Sequence, residues 1–158
     1  MIRKAAIISI SGISLTQQEI NIFKKDKPWG VILFKRNILS NNQLKKLTTS
    51  IKVIMKDNKY PILVDEEGGR VTRFSNFLDN SISCQKLFGD IYKKDKKIGL
   101  IIYKNYIDSI SYHLRNLGIN INTSPVLDLY IKEAHLIIGN RSYSENPIIV
   151  SELGKACV

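Results

Sequence analysis

The chain has 158 residues and a mass of 18.0 kDa, with 44% hydrophobic and 24% charged residues, nine Gly and four Pro. This is the composition of a globular domain, not of a disordered, collagen-like or disulfide-built chain. A chain this long buries roughly two-thirds of its unfolded surface, so a real core is possible, but a full (β/α)8 barrel takes ~250 residues and does not fit. The 24 Lys and Arg against 14 Asp and Glu give a formal charge of +10, which on its face suggests an anionic partner. Ile (26), Lys (18) and Asn (13) make up more than a third of the residues, however, and all three have A/T-rich codons. No basic run exceeds a doublet and no aromatic-basic motif accompanies the doublets, so the charge reads as compositional bias and no specific nucleic-acid partner is expected.

Cys84 and Cys157 lie far apart without a Cys-x-x-Cys or a nearby His pair, which argues against a disulfide framework and a zinc site; a reducing cytoplasm is the simplest setting. No metal or cofactor is expected. Residues 1–10 have a basic start and an apolar stretch, but serines dilute it and no Ala-x-Ala follows, so a signal peptide is not expected. Nor does any apolar run approach the ~20 residues that span a membrane.

Residues 5–10 read as a buried first strand. Thr16 and Glu19 then have capping-box spacing ahead of a short helix. Residues 30–34 form a continuous apolar run, as for a strand of a parallel sheet covered on both faces. Ser40 or Asn41 can cap a helix carrying Leu44, Leu47, Ile51 and Ile54 at three- and four-residue spacing. Residues 61–64 are the third strand. Residues 74–95 read as a long loop with short helical pieces. Residues 98–117 predict a long helix with Tyr103, Ile107, Ile110, Leu114 and Leu117 on one stripe and Gly118 as its left-handed stop. Residues 119–127 are the fourth strand. Asn146 and Pro147 open a last helix that runs to residue 158 with no stop signal. Alternating strands and helices imply a parallel sheet with right-handed crossovers, and four such units make half a barrel.

In such architectures functional residues follow the carboxyl ends of strands. Here those are residues 35–37, residues 65–73 and Asp128. The run Asp65-Glu66-Glu67-Gly68-Gly69-Arg70-Val71-Thr72-Arg73 packs three acids, two glycines and two arginines into one strand-end loop. Such groups can grip sugar hydroxyls through paired hydrogen bonds or neutralise one another as a structural network, and the residues alone leave both readings open. A glycosidase pair of carboxylates is a poor fit: Glu66 and Glu67 point to opposite sides if the strand continues, and Asp65 and Glu67 would lie on one side of the substrate. A binding role suits Asp65 better than a catalytic one.

Residues 29–37, residues 64–74, Ser124-Pro125-Val126-Leu127-Asp128 and Ile138-Gly139-Asn140-Arg141-Ser142-Tyr143 resemble, in order and interval, successive strand-end motifs of glycoside hydrolase family 3, most closely its bacterial cytoplasmic β-N-acetylhexosaminidases. The resemblance runs over the whole chain as one domain, residues 1–158. It implies a TIM-barrel fold of which this chain holds about half, and retaining hydrolysis of terminal β-N-acetylglucosamine from recycled peptidoglycan fragments. It also implies sugar-binding roles for Asp65, Arg73 and Arg141. Glu66 stands where the family usually has Gln, which adds a charge near the pocket, and the role of Asp128 could be structural.

The family's later Lys-His-Phe-Pro-Gly-His-Gly motif, its acid/base His and its nucleophilic Asp have no counterpart in these 158 residues. His113, in the long helix, and His135, in a loop without an Asp-x-His context, do not replace them. No catalytic residue is therefore assigned, since positioning groups replace neither the attacking carboxylate nor the proton donor. The expectation is a chain inactive by itself unless a second chain supplies the rest of the barrel; the alternative is a non-catalytic remnant or weak sugar- or protein-binding half-barrel. The edges of the first and fourth strands should be exposed.

Overall fold

The computed structural model describes residues 2–133 and 135–158, which divide into two compact units: residues 2–65 with 112–122, and residues 66–111 with 123–158. The first unit holds a four-stranded, all-parallel sheet in the order β1 (Lys4–Ser9), β2 (Pro28–Leu33), β3 (Ile62–Val64), β4 (Ile121–Asn122). This is the α/β half-barrel expected from the alternation. The register pairs Ser9 with Ile32, Leu33 with Val64, and Val64 with Asn122. The carboxyl ends of the strands therefore share one edge, and Asp65 follows directly on β3.

Local signals act here as the sequence implies. Helix α1 (Gln17–Asp26) begins with a complete capping box: the Thr16 hydroxyl accepts from the Glu19 amide, and the Glu19 carboxylate accepts from the Thr16 amide at 2.8 Å. Ser40 caps α2 (Asn41–Met55), whose Leu44, Leu47 and Ile51 are buried. Helix α4 (Lys96–Asn116) ends at Gly118, in the left-handed region at φ +82°. A Cβ there would meet the Thr48 hydroxyl at 2.5 Å, and that hydroxyl donates to the Leu117 carbonyl at 2.8 Å. The core of this unit includes Val31, Leu33, Leu44, Ile51, Tyr60, Ile62 and Val64. The Tyr60 hydroxyl donates to the Pro28 carbonyl at 2.9 Å.

Three expectations need correction. Strand β1 forms, but it is not buried: Lys4 to Ile7 and Ser9 are exposed. An apolar run marks burial only where elements cover both faces, whereas β1 is an edge strand paired with β2 alone. The fourth strand is two residues long rather than nine. Pro125 has no N–H for a ladder, and the segment beyond Asn122 belongs to the second unit. Residues 74–95, expected as a long loop with short helical pieces, are irregular only as far as Cys84 and then form one continuous helix, α3 (Gln85–Lys94).

The second unit comprises α3, most of α4, and α5 (Pro147–Cys157), where the Asn146 side chain accepts from the Ile148 amide. Its core is aromatic: Phe88, Tyr92, Tyr103 and Tyr143 pack with Val150 and Leu153.

Replacing Gly118 by Ala should cost about 1–2 kcal/mol, the penalty of a side chain in left-handed backbone. Thermal unfolding of Gly118→Ala should show this as a drop of a few degrees; an unchanged melting temperature would refute the assigned helix stop.

Candidate functional site

In the first unit, the polar residues after β2 are occupied structurally. Asn37 is fully buried; its amide donates to the carbonyls of Ile10 (3.1 Å) and Gly12 (2.9 Å), and its oxygen accepts from the Phe34 amide at 2.9 Å. It ties the end of β2 to the end of β1. Arg36 donates from Nε to the Ile10 carbonyl at 3.1 Å and lies over the Phe34 ring. Asp65, half-buried, ends the first segment of this unit.

The rest of the acid-rich loop belongs to the second unit and is organised around a buried carboxylate. Glu66 is 2% exposed. One of its oxygens accepts from Asn80 Nδ2 at 2.8 Å; the other accepts from the Arg73 amide at 2.7 Å and the Thr72 hydroxyl at 3.2 Å. Its backbone carbonyl accepts from the Ser124 hydroxyl at 3.2 Å. To return to Glu66, the chain reverses at Gly68 (φ +79°) and Gly69 (φ +62°), closed by the Glu67 amide on the Val71 carbonyl at 3.0 Å. A Cβ on Gly68 would stand 2.8 Å from the Tyr106 hydroxyl, and one on Gly69 would stand 2.6 Å from Cys84 Cβ. The glycines thus serve both turn and close approach.

Arg141, in a 3-10 turn Gly139–Arg141, forms a two-pronged ion pair with the buried Glu67: Nε to Oε2 at 2.7 Å and Nη2 to Oε1 at 2.9 Å. The exposed Arg70 donates through Nη2 to the carbonyls of Leu136 (2.8 Å), Ile138 (3.0 Å) and Ile137. Of the three expected sugar-binding residues, Arg73 and Arg141 fall in this unit, half-buried, and Asp65 in the other. His113 lies in α4; His135 is exposed and its Nδ1 accepts from the Ile137 amide at 3.0 Å. Asp128 is exposed. Among the described residues no three His, Cys, Asp or Glu side chains are grouped to hold a metal ion, and no helix is long and apolar enough to cross a membrane.

The sequence reading missed Asn80 and Gln85, both buried. Asn80 Nδ2 also donates to the Tyr106 hydroxyl at 2.8 Å. Gln85, with its amide oriented to satisfy its neighbours, donates to the carbonyls of Arg141 (2.6 Å) and Val126 (2.9 Å). Neither belongs to a motif, and a lone amide in an irregular segment carries no spacing signal. Burial pushes the Tyr106 hydroxyl up to about 12, an effect the Asn80 bond partly opposes. Burial also raises Tyr103 and Tyr143, whose hydroxyls share a hydrogen bond. A groove of about 880 Å³ between α1 and α2 is lined by residues such as Ile13, Leu47 and Val53 and by none of the expected site residues.

The four-stranded parallel sheet with its helices is about half of a β/α barrel. Residues 3–158 match the model of the glycosyl hydrolase family 3 N-terminal domain, and the chain belongs to that family. It is 32% identical over 152 residues to a β-hexosaminidase of Stenotrophomonas maltophilia, covering 96% of this chain and 44% of the relative. The crystal structure of native NagZ from Neisseria gonorrhoeae superposes with a TM-score of 0.88 at 32% identity, covering 98% of this chain and 45% of that one. A family 3 β-N-acetylglucosaminidase from a Paenibacillus species superposes at 0.83 with 27% identity, over 96% of this chain and 28% of its own. The chain thus spans less than half the length of each of these relatives.

Asn80→Ala should destabilise the protein by about 1–3 kcal/mol, because it strips a donor from a buried carboxylate; thermal or urea unfolding reads this directly. A tyrosine raised in the folded state favours folding fully below its unfolded value of 10 and loses that contribution as pH climbs towards about 12. Stability should therefore fall across that window, with Tyr106 ionising late in an ultraviolet titration; titration of Tyr106 near 10 would contradict its burial.

Proposed function

We propose that residues 1–158 supply the sugar-binding portion of a cytoplasmic β-N-acetylhexosaminidase barrel, acting on terminal N-acetylglucosamine of peptidoglycan fragments by retaining hydrolysis. Asp65, Arg73 and Arg141 are the groups that grip the sugar hydroxyls. The observation that carries this reading is the paired organisation of two family motifs in the second unit: the Glu67 carboxylate of the loop after β3 holds the Arg141 guanidinium at 2.7 and 2.9 Å. That arrangement fixes a planar cation, the form suited to paired hydrogen bonds with vicinal hydroxyls. A solved relative supports the choice of sugar, since the gonococcal NagZ has been crystallised with N-trifluoroacetyl-D-glucosamine.

Hydrolysis also needs an attacking carboxylate and a proton donor. Glu66 and Glu67 have both oxygens engaged by donors of their own unit, which suits neither to attack. Both groups come from polypeptide other than residues 1–158.

Titration of the isotopically labelled chain with N-acetylglucosamine should shift amides of residues 65–74 and 138–142. Asp65→Ala or Arg73→Ala should weaken binding roughly 10-fold or more, the worth of a hydrogen bond to a charged group. Unchanged affinity in both variants would overturn the assignment. Binding without hydrolysis of an aryl N-acetylglucosaminide is the expected behaviour of the 158 residues alone, and hydrolysis would overturn the division of labour.

A further inference from the structure

We infer that Arg70 is a positioning residue for sugar binding through Arg141, a deepening that rests on the sugar-binding reading above. Arg70 sits at the tip of the turn made by Gly68 and Gly69, and its side chain is exposed. Instead of reaching into solvent, one nitrogen collects the carbonyls of three successive residues, Leu136, Ile137 and Ile138. Three carbonyls converge this way only when the backbone curls around the cation. The curl continues directly into the turn that carries Arg141, whose amide donates to the Ile138 carbonyl at 2.8 Å. The Ile137 carbonyl is shared, since Arg141 Nη1 donates to it at 3.3 Å.

Apolar packing does not explain the order of this segment. Leu136 is 75% exposed and Ile137 59%, so burial contributes little there. Gln85 holds the far end, at the Arg141 carbonyl, and Glu67 holds the guanidinium. Arg70 is the tie on the approach, residues 136–138. The loop after β3 therefore sets Arg141 twice: Glu67 orients its side chain, and Arg70 shapes the backbone that delivers it.

The test compares wild type with Arg70→Ala, Arg141→Ala and the double variant in the full 158-residue chain. Affinity is read by titration with N-acetylglucosamine, and order by hydrogen exchange of the Ile138, Arg141 and Ser142 amides. Arg70→Ala should weaken binding about 10-fold, equivalent to about 1.4 kcal/mol. It should also speed exchange at those three amides while leaving α2 protected, and guanidinium added far below denaturing concentrations should restore both. The double variant should bind no more weakly than Arg141→Ala, because Arg70 acts through Arg141. Additive losses, or wild-type affinity in Arg70→Ala, would overturn the inference. If wild type and Arg141→Ala bind the sugar equally or not at all, the sugar reading itself fails. Exchange then decides alone: faster exchange upholds Arg70 as the tie on this segment, and unchanged exchange removes it.

Discussion

A carboxylate withdrawn from water has to be met by donors, and the Glu66 side chain, at 2% exposure, imposes that condition on the second unit. Carboxylates only accept, so every partner must arrive as an N–H or O–H. Asn80 comes from the irregular segment before α3, while Thr72 and the Arg73 amide come from the same loop after it has doubled back. The doubling back requires left-handed backbone at Gly68 and Gly69. Once the chain turns there, the neighbouring side chains diverge: Glu67 reaches Arg141, and Arg70 reaches the carbonyls of residues 136–138.

This explains why three adjacent acids do different work despite similar chemistry. Glu66 is consumed in holding the loop. Glu67 is consumed in holding an arginine. Asp65 stands apart in the first unit, at the edge where the parallel register gathers the strand ends. An attacking carboxylate needs an oxygen not already engaged, and the oxygens of Glu66 and Glu67 are taken up by Asn, Thr, Arg and backbone donors. Both are committed to the internal structure of a family member that spans less than half the length of its matched relatives.

Of the two readings left open for the loop, a sugar grip or a self-neutralising network, the second describes the contacts these residues make, and the first is the function proposed for them. The network is real: buried acids paired to an amide, a hydroxyl and a guanidinium. It is also what would make a grip possible, because an arginine held on its Nε and Nη2 edge by a carboxylate presents its remaining donors in one fixed plane.

Signals confined to a few neighbouring residues were legible in the amino-acid sequence. The Thr16 and Glu19 box, the Ser40 and Asn146 caps and the Gly118 stop all act within one helical turn, so local chemistry is sufficient to specify them. Four ordered strand-end motifs likewise identified the family, because they lie at fixed intervals along the chain. Tertiary structure alone decided which apolar runs are covered. Residues 4–9 look like a buried strand, yet burial is a property of neighbours, and β1 has one strand beside it. It decided the length of β4 as well, where apolar residues continue but the ladder stops. Above all it decided the partners of Asn80, Gln85 and Arg70. Their roles depend on segments up to 68 residues away meeting in space, and a long-range hydrogen bond leaves no periodicity or spacing in the sequence that makes it.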